Sequence, residues 1–390
     1  MHMDPLLPRL VAALLVVVVL ATLGKRFSQP MPVVYIVAGV LLGPKGAALL
    51  DEAPTLARIG EFGVILLLFL LGTEIKLDRL LASWRVPVVG LAAQIAASLG
   101  SAAALGWALD WPVGRIVLVG FVISLSSTAV VLPMLEDRKL QDSELGNHVL
   151  SILLAQDLAL APMLIVIGLL GGGAFDPVAL GLQFGVGGAM LGLLAWVARR
   201  GVLRLPFAAS LRGDPDLQVF AALLAALSLA LVSALAGLSA AFGAFVAGVI
   251  IGATEEERWV HSSLHPFRVV LVAVFLMAIG TLLDLGFLRD NLALVASLAG
   301  IALLTNTGVN ALVLRFLGQP WRESVLGGAL LSQIGEFSFV LAAIGLHVGL
   351  VNTFGYQLAL SVIATTLLLS AVWIGGVGFV QGRLTPPQPA

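Results

Sequence analysis

VLSILLAQDLALAPMLIVIGLL, residues 149–170, reads as one membrane-crossing helix, and its single charged residue is Asp157. A helix needs about 20 apolar residues to span a hydrocarbon core of ~30 Å. A carboxylate midway along such a run costs at least about 2.5 kcal/mol on insertion, so an acid there marks a functional site by default. Gln156 is its only polar neighbour within the run.

The rest of the chain repeats that pattern. Of 390 residues, 59% are hydrophobic and 11% charged, with a mean hydropathy of +1.07. About 25% charge is usual for a soluble domain, so these charges cannot cover a water-facing surface. The alternation of a transmembrane β-barrel is missing. An all-α membrane protein is expected, with thirteen spans at 6–23, 31–49, 56–73, 84–108, 112–135, 145–170, 177–203, 215–235, 237–253, 264–283, 291–316, 322–347 and 354–380. The first lacks a basic flank and a cleavage site and reads as a retained span rather than a signal peptide. With no cysteine there is no thiolate metal site, and a net charge of −1 argues against a nucleic-acid partner.

Sixteen of the 21 Lys and Arg residues fall on one side of these spans. Basic short loops stay in the cytoplasm, which puts the N-terminus outside and the C-terminus inside, consistent with an odd number of spans. The chain also repeats itself. Val37-Ala38-Gly39-Val40 with Gly43 returns as Val246-Ala247-Gly248-Val249 with Gly252, and Phe69-Leu70 with Gly72-Thr73 returns as Phe275-Leu276 with Gly280-Thr281. Leu125-Ser126 returns as Leu331-Ser332. Each match lies seven spans on, and an odd offset reverses orientation. The expected architecture is two inverted repeats, 6–170 and 215–380, joined by a linker helix at 177–203. Such transporters bind substrate near the midplane, where helices are broken.

Two breaks are legible. Ser124-Leu125-Ser126-Ser127-Thr128 interrupts the fifth span, and Leu331-Ser332-Gln333-Ile334-Gly335-Glu336 the twelfth. Hydroxyl side chains compete with helical hydrogen bonds and support unwinding, and freed carbonyls with Ser126, Ser127 or Thr128 oxygens would suit a hard monovalent cation. Small residues also serve close helix packing, and chemistry alone does not separate the two. Glu336 could carry a proton, anchor the broken helices or belong to an ion pair; the anchoring role is preferred. Glu61, Glu74 and Asp284 read as interfacial, the 171–173 glycines and Gly46 as turns. His265, beside Pro266-Phe267 at a cytoplasmic edge, is a candidate pH sensor. No phosphate loop or Ser/His/Asp arrangement appears, so an ATP-driven pump, a protease or any other enzyme has no support.

Together AGVLLGP (38–44), EFGVILLLFLLGTE (61–74), SSTAVV (126–131), LLAQDLALAP (153–162), AAFGAFVAGVIIG (240–252), HPF (265–267) and LLSQIGEFSFVLA (330–342) resemble the monovalent cation:proton antiporter superfamily, in its potassium-efflux (Kef-type) branch. The resemblance implies a thirteen-helix homodimer in a bacterial-type inner membrane, with a mobile core and a dimerisation part. It implies Asp157 as the carrier of either a cation or a proton, flanked by the broken spans. The Gln156-Asp157 pair is similar to the family's potassium-type signature and implies one-for-one, electroneutral exchange. Two departures stand out. Asn306 occupies the place of a Lys typical of the branch, and only a Pro-rich tail follows the last span. That leaves the branch's nucleotide-binding domain outside this chain and leaves room for a separate regulatory subunit.

The expected function is exchange of K⁺, or Na⁺, for H⁺ by alternating access. No cofactor is expected, since the ions are substrates. The rivals are a cation channel, which would pass current at fixed pH, a Na⁺-coupled solute carrier, which needs a wider polar cavity, and an ion sensor, which would bind without transport.

Overall fold

The computed structural model describes residues 6–26, 29–44, 46–49, 53–74, 85–141, 143–171, 177–200, 214–238 and 240–384. Sixteen helices occupy them: α1 (Leu6–Arg26), α2 (Met31–Leu42), α3 (Ala53–Glu74), α4 (Arg85–Ala108), α5 (Val113–Ser124), α6 (Thr128–Asp137), α7 (Glu144–Leu170), α8 (Pro177–Arg200), α9 (Pro215–Leu235), α10 (Ala240–Gly252), α11 (Glu257–Leu282), α12 (Leu285–Asp290), α13 (Leu292–Phe316), α14 (Trp321–Leu330), α15 (Phe337–His347) and α16 (Thr353–Leu384). Seven are long and apolar enough to cross a membrane by length and composition alone. Leu10, Leu14, Leu15 and Val18 of α1 stand exposed, as side chains that face lipid can.

Several expected boundaries move. The second span stops at Leu42, because Gly43-Pro44 cannot continue it. The tenth begins about two turns early, at Glu257, with Pro266 carried inside the helix. The last runs on to Leu384. Asp284 is the N-cap of the short α12, accepting from the N–H groups of Gly286 and Phe287 at 2.9 and 3.1 Å. Residues 201–203 of the linker span, Gly172 and Gly173 lie outside the described residues, as do the side chains of Glu61 and Glu74.

The chain forms two compact units, 1–51 with 85–173 and 279–390, and 52–84 with 174–278. In the second, α3, α9 and α10 pack around Phe69, Leu70 and an alanine stripe, Ala222, Ala226 and Ala230. Small residues set the spacing: a Cβ on Gly248 would run into the carbonyl of Phe69, and one on Gly72 would meet Val249 N at 2.9 Å. Gly252 lies against Thr73, with a Cβ there 3.0 Å from the Thr73 Cα.

The first unit contains the same contact with other residues. A Cβ on Gly280 would meet Val40 N and Gly39 Cα at 2.9 Å, and one on Gly43 would meet Thr281 Cα at 3.0 Å. Each copy of the Val-Ala-Gly-Val motif thus packs on a Gly-Thr pair. The core of this unit gathers Val131, Leu135, Leu145, Val149, Ile152, Leu153, Leu314, Leu330 and Leu331 around α7, α13 and α14. The two breaks, α5/α6 and α14/α15, meet there. Ser126 pairs antiparallel with Ile334, and Gly335 N–H donates to the Leu125 carbonyl at 2.7 Å.

Candidate functional site

A broken helix leaves carbonyls at one end and N–H groups at the other without intrahelical partners. Here side chains supply them. At the end of α5 the Phe121 carbonyl accepts from Ser124 Oγ (2.9 Å), Val122 from Ser338 Oγ (2.7 Å), and Ile123 from Asn306 Nδ2 (3.1 Å). At the end of α14 the Leu331 carbonyl accepts from Ser126 Oγ (2.7 Å). The Ser332 carbonyl accepts from the same Asn306 Nδ2 (3.1 Å). Ser332 itself turns its hydroxyl back to Ala329 O (2.8 Å). Ser127 caps α6: its Oγ accepts from Val130 N–H at 3.3 Å and donates to Glu336 Oε2 at 2.6 Å. Glu336 stands at the N-terminus of α15, where a carboxylate is favoured by the helix dipole.

Asp157 lies midway along α7 and is only 8% exposed. Its Oδ2 accepts from the Thr128 hydroxyl at 3.0 Å. Gln156 is fully buried; its Oε1 accepts from Ser126 N–H at 3.0 Å, while its Nε2 has no hydrogen-bond partner among the described residues. Gln333 Nε2 reaches Ser127 O at 3.5 Å, and its Oε1 is likewise without one. A carboxylate, hydroxyls and amide groups thus converge beside the crossing. Two of those buried amide atoms are left over for a further partner.

Behind the crossing, α4 and α13 contribute a second polar group. Gln94 Nε2 donates to Asn306 Oδ1 at 2.8 Å and to Ser98 Oγ at 3.3 Å. Asn310 Nδ2 donates to Gln94 Oε1 at 2.9 Å and to Asn306 O at 2.9 Å. Gln94, Asn306 and Asn310 are all buried.

Residues 11–379 match the family described as "Sodium/hydrogen exchanger, transmembrane". The chain is also 36% identical over 354 residues to the iron transporter MagA of Paramagnetospirillum magneticum, covering 90% of this chain and 80% of that one. It is 31% identical over 379 residues to K(+) efflux antiporter 2, chloroplastic, of Arabidopsis thaliana, covering 94% of this chain and 32% of that protein. The chain belongs to the monovalent cation:proton antiporter superfamily, in its potassium-efflux branch. It is a secondary transporter that couples a monovalent cation to H⁺, and not an enzyme. The fold agrees: the sodium proton antiporter MjNhaP1 of Methanocaldococcus jannaschii superposes with a TM-score of 0.73 over 98% of this chain and 99% of that one, at 14% identity.

The antiporter's structure brings together Asp157, Gln156, Ser126, Ser127, Thr128, Glu336, Gln333 and Asn306. Ser332 takes part through its backbone. His265 belongs to the second unit, exposed on α11 with its ring 5.9 Å from that of His261. Among the polar groups at the breaks that are not legible as site residues in the sequence are Gln94, Asn310, Ser338 and Thr366, whose Oγ1 accepts from Ile334 N–H at 3.2 Å. A lone Gln inside an apolar span, and an Asn at i+4 from Asn306, were the available signals for the first two. Thr366 gave none, since a threonine in a membrane helix usually bonds its own backbone.

Proposed function

We propose that this antiporter exchanges K⁺ for H⁺ one for one, with Na⁺ the alternative cargo, and that Asp157 carries each ion in turn. The observation that carries the reading is the division of labour between neighbours. Among the described residues Asp157 has a single hydroxyl partner, whereas Gln156 is neutral and committed to Ser126 N–H. One acid that holds either a proton or a cation moves no net charge per cycle. The hydroxyls of Thr128, Ser126 and Ser127 and the Gln333 Oε1 are the groups on hand to complete a cation's shell. Glu336, tied to Ser127 at the starts of α6 and α15, serves as the anchor of the breaks rather than as the carrier.

The proposed architecture is thirteen spans in two inverted repeats. Its best support is the doubled packing motif: the Gly43–Thr281 and Gly280–Gly39 contacts have their counterparts in Gly252–Thr73 and Gly72–Gly248. In each, one repeat's Val-Ala-Gly-Val meets the other repeat's Gly-Thr. The N-terminus is outside, the C-terminus cytoplasmic, and the working unit a homodimer in a bacterial-type inner membrane.

The kinship with an iron transporter gives a second reading, Fe²⁺ as cargo. Among the described residues no three His, Cys, Asp or Glu side chains gather as a metal-binding group, and the donors at Asp157 are hard oxygens and amides. That set fits a monovalent cation better than a transition metal. The test is exchange in proteoliposomes carrying an internal pH dye, with K⁺, Na⁺, Li⁺, Rb⁺ or Fe²⁺ added outside. K⁺ should drive proton movement in the wild type and fail to in Asp157→Asn. Proton movement driven by Fe²⁺ alone, or an Asp157→Asn protein that exchanges at the wild-type rate, would overturn the reading.

A further inference from the structure

The amide of Asn306 bridges two carbonyls that belong to different broken helices, Ile123 O and Ser332 O, both at 3.1 Å. Carbonyls only accept, so the NH₂ group of Asn306 must face them, and its Oδ1 must face away. What it faces is Gln94, which must then present its own NH₂, leaving Gln94 Oε1 to face Asn310. Asn310 in turn donates there. The orientation of all three side-chain amides therefore follows from two backbone carbonyls. They form a directed chain, Asn310 to Gln94 to Asn306 to the helix breaks, in which each bond polarises the next.

We propose that Gln94 is a positioning residue for ion exchange. It pairs the buried Oδ1 of Asn306 and so reinforces the orientation that the two carbonyls require, so that one neutral side chain clamps the ends of α5 and α14 and thereby sets Ser126, Ser127 and Thr128 against Asp157. Without the Gln94 donor, the buried Asn306 Oδ1 loses the hydrogen bond it accepts from Gln94, the two carbonyls alone hold the amide, and both breaks are clamped less firmly. A lysine in place of Asn306 needs no such orientation, because an ammonium carries three donors and no acceptor.

That difference supplies the test, which rests on the exchange reading above. Apparent cation affinity, maximal rate and melting temperature in detergent are measured for four proteins: wild type, Gln94→Met, Asn306→Lys, and the variant with both changes. Gln94→Met alone is expected to weaken apparent cation affinity by at least about tenfold, the scale of leaving buried polar partners unsatisfied. Added to Asn306→Lys, it is expected to change affinity by less than about twofold. Equal losses in both backgrounds would mean that Gln94 only fills space, and no loss in the first would mean that it does not act on the site; either overturns the proposal. If Gln94→Met does not fold, a folded double variant supports the clamp and an unfolded one overturns it. If Asn306→Lys does not exchange, the melting temperatures decide: the Gln94→Met loss should shrink by at least about half in its presence, and an undiminished loss overturns the proposal. Absence of exchange in the wild type would count against the function and leave the melting test of the clamp intact.

Discussion

Asp157 and Gln156 are adjacent in sequence yet differently engaged, one accepting from the Thr128 hydroxyl and the other fastened to backbone at Ser126 N–H. A second acid at position 156 should change the charge moved per cycle. Gln156→Glu keeps an acceptor for Ser126 N–H and adds a carboxylate that can load a second proton. Moving one net charge through 100 mV is worth about 2.3 kcal/mol, so exchange by Gln156→Glu should become sensitive to membrane potential. A variant whose rate ignores voltage would show that position 156 faces no ion. The acid and the hydroxyl stretch beside it were readable from the chain alone, because an isolated charge in an apolar run has few structural explanations. The amide clamp was not. Gln94 and Asn310 look like ordinary tolerated polar residues until α4 and α13 are packed face to face.

At the scale of elements, the breaks exist because side chains replace the hydrogen bonds that α5 and α14 forgo. The Ser and Gly residues at the crossing are there for this geometry. A Cβ on Gly335 would stand 2.5 Å from Ser126 O, a backbone atom that cannot move without disturbing the Ser126–Ile334 pairing. Gly335→Ala should therefore destabilise the antiporter by about 1–3 kcal/mol, as overpacking does, and reduce exchange at least about tenfold through misplacement of the site. Gly300 on α13 has nothing within 4 Å of where its Cβ would be, so Gly300→Ala should be neutral in both assays. Equal behaviour of the two variants, by thermal unfolding and exchange, would refute a strict crossing geometry. Sequence reading located both breaks, since hydroxyl clusters and Gly-Glu pairs interrupt otherwise smooth apolar runs. It misplaced the ends of α2 and α11. There, apolar Ala47, Ala48 and Leu49 continue the run beyond the Gly43-Pro44 that ends the helix, and the helical residues before Pro266 are polar enough to pass for a loop.

For the whole molecule, orientation and stoichiometry are the two properties that define an antiporter. The distribution of Lys and Arg predicts that the Asp110 turn faces outward and the Lys139 turn inward. The chain contains no cysteine, so Asp110→Cys should react with an impermeant thiol reagent in intact cells and Lys139→Cys only after the membrane is opened. The reverse pattern would invert the topology. Under the proposed mechanism, stoichiometry follows from one carrier acid. Its most direct measurement is the rate of K⁺-driven proton exchange in proteoliposomes clamped at several membrane potentials. A rate that is the same at every potential, and absent in Asp157→Asn, is what a single alternating acid requires. A wild-type rate that rises or falls with the imposed voltage would contradict one-for-one exchange and bring in a second titrating group, with Glu336 the first to examine.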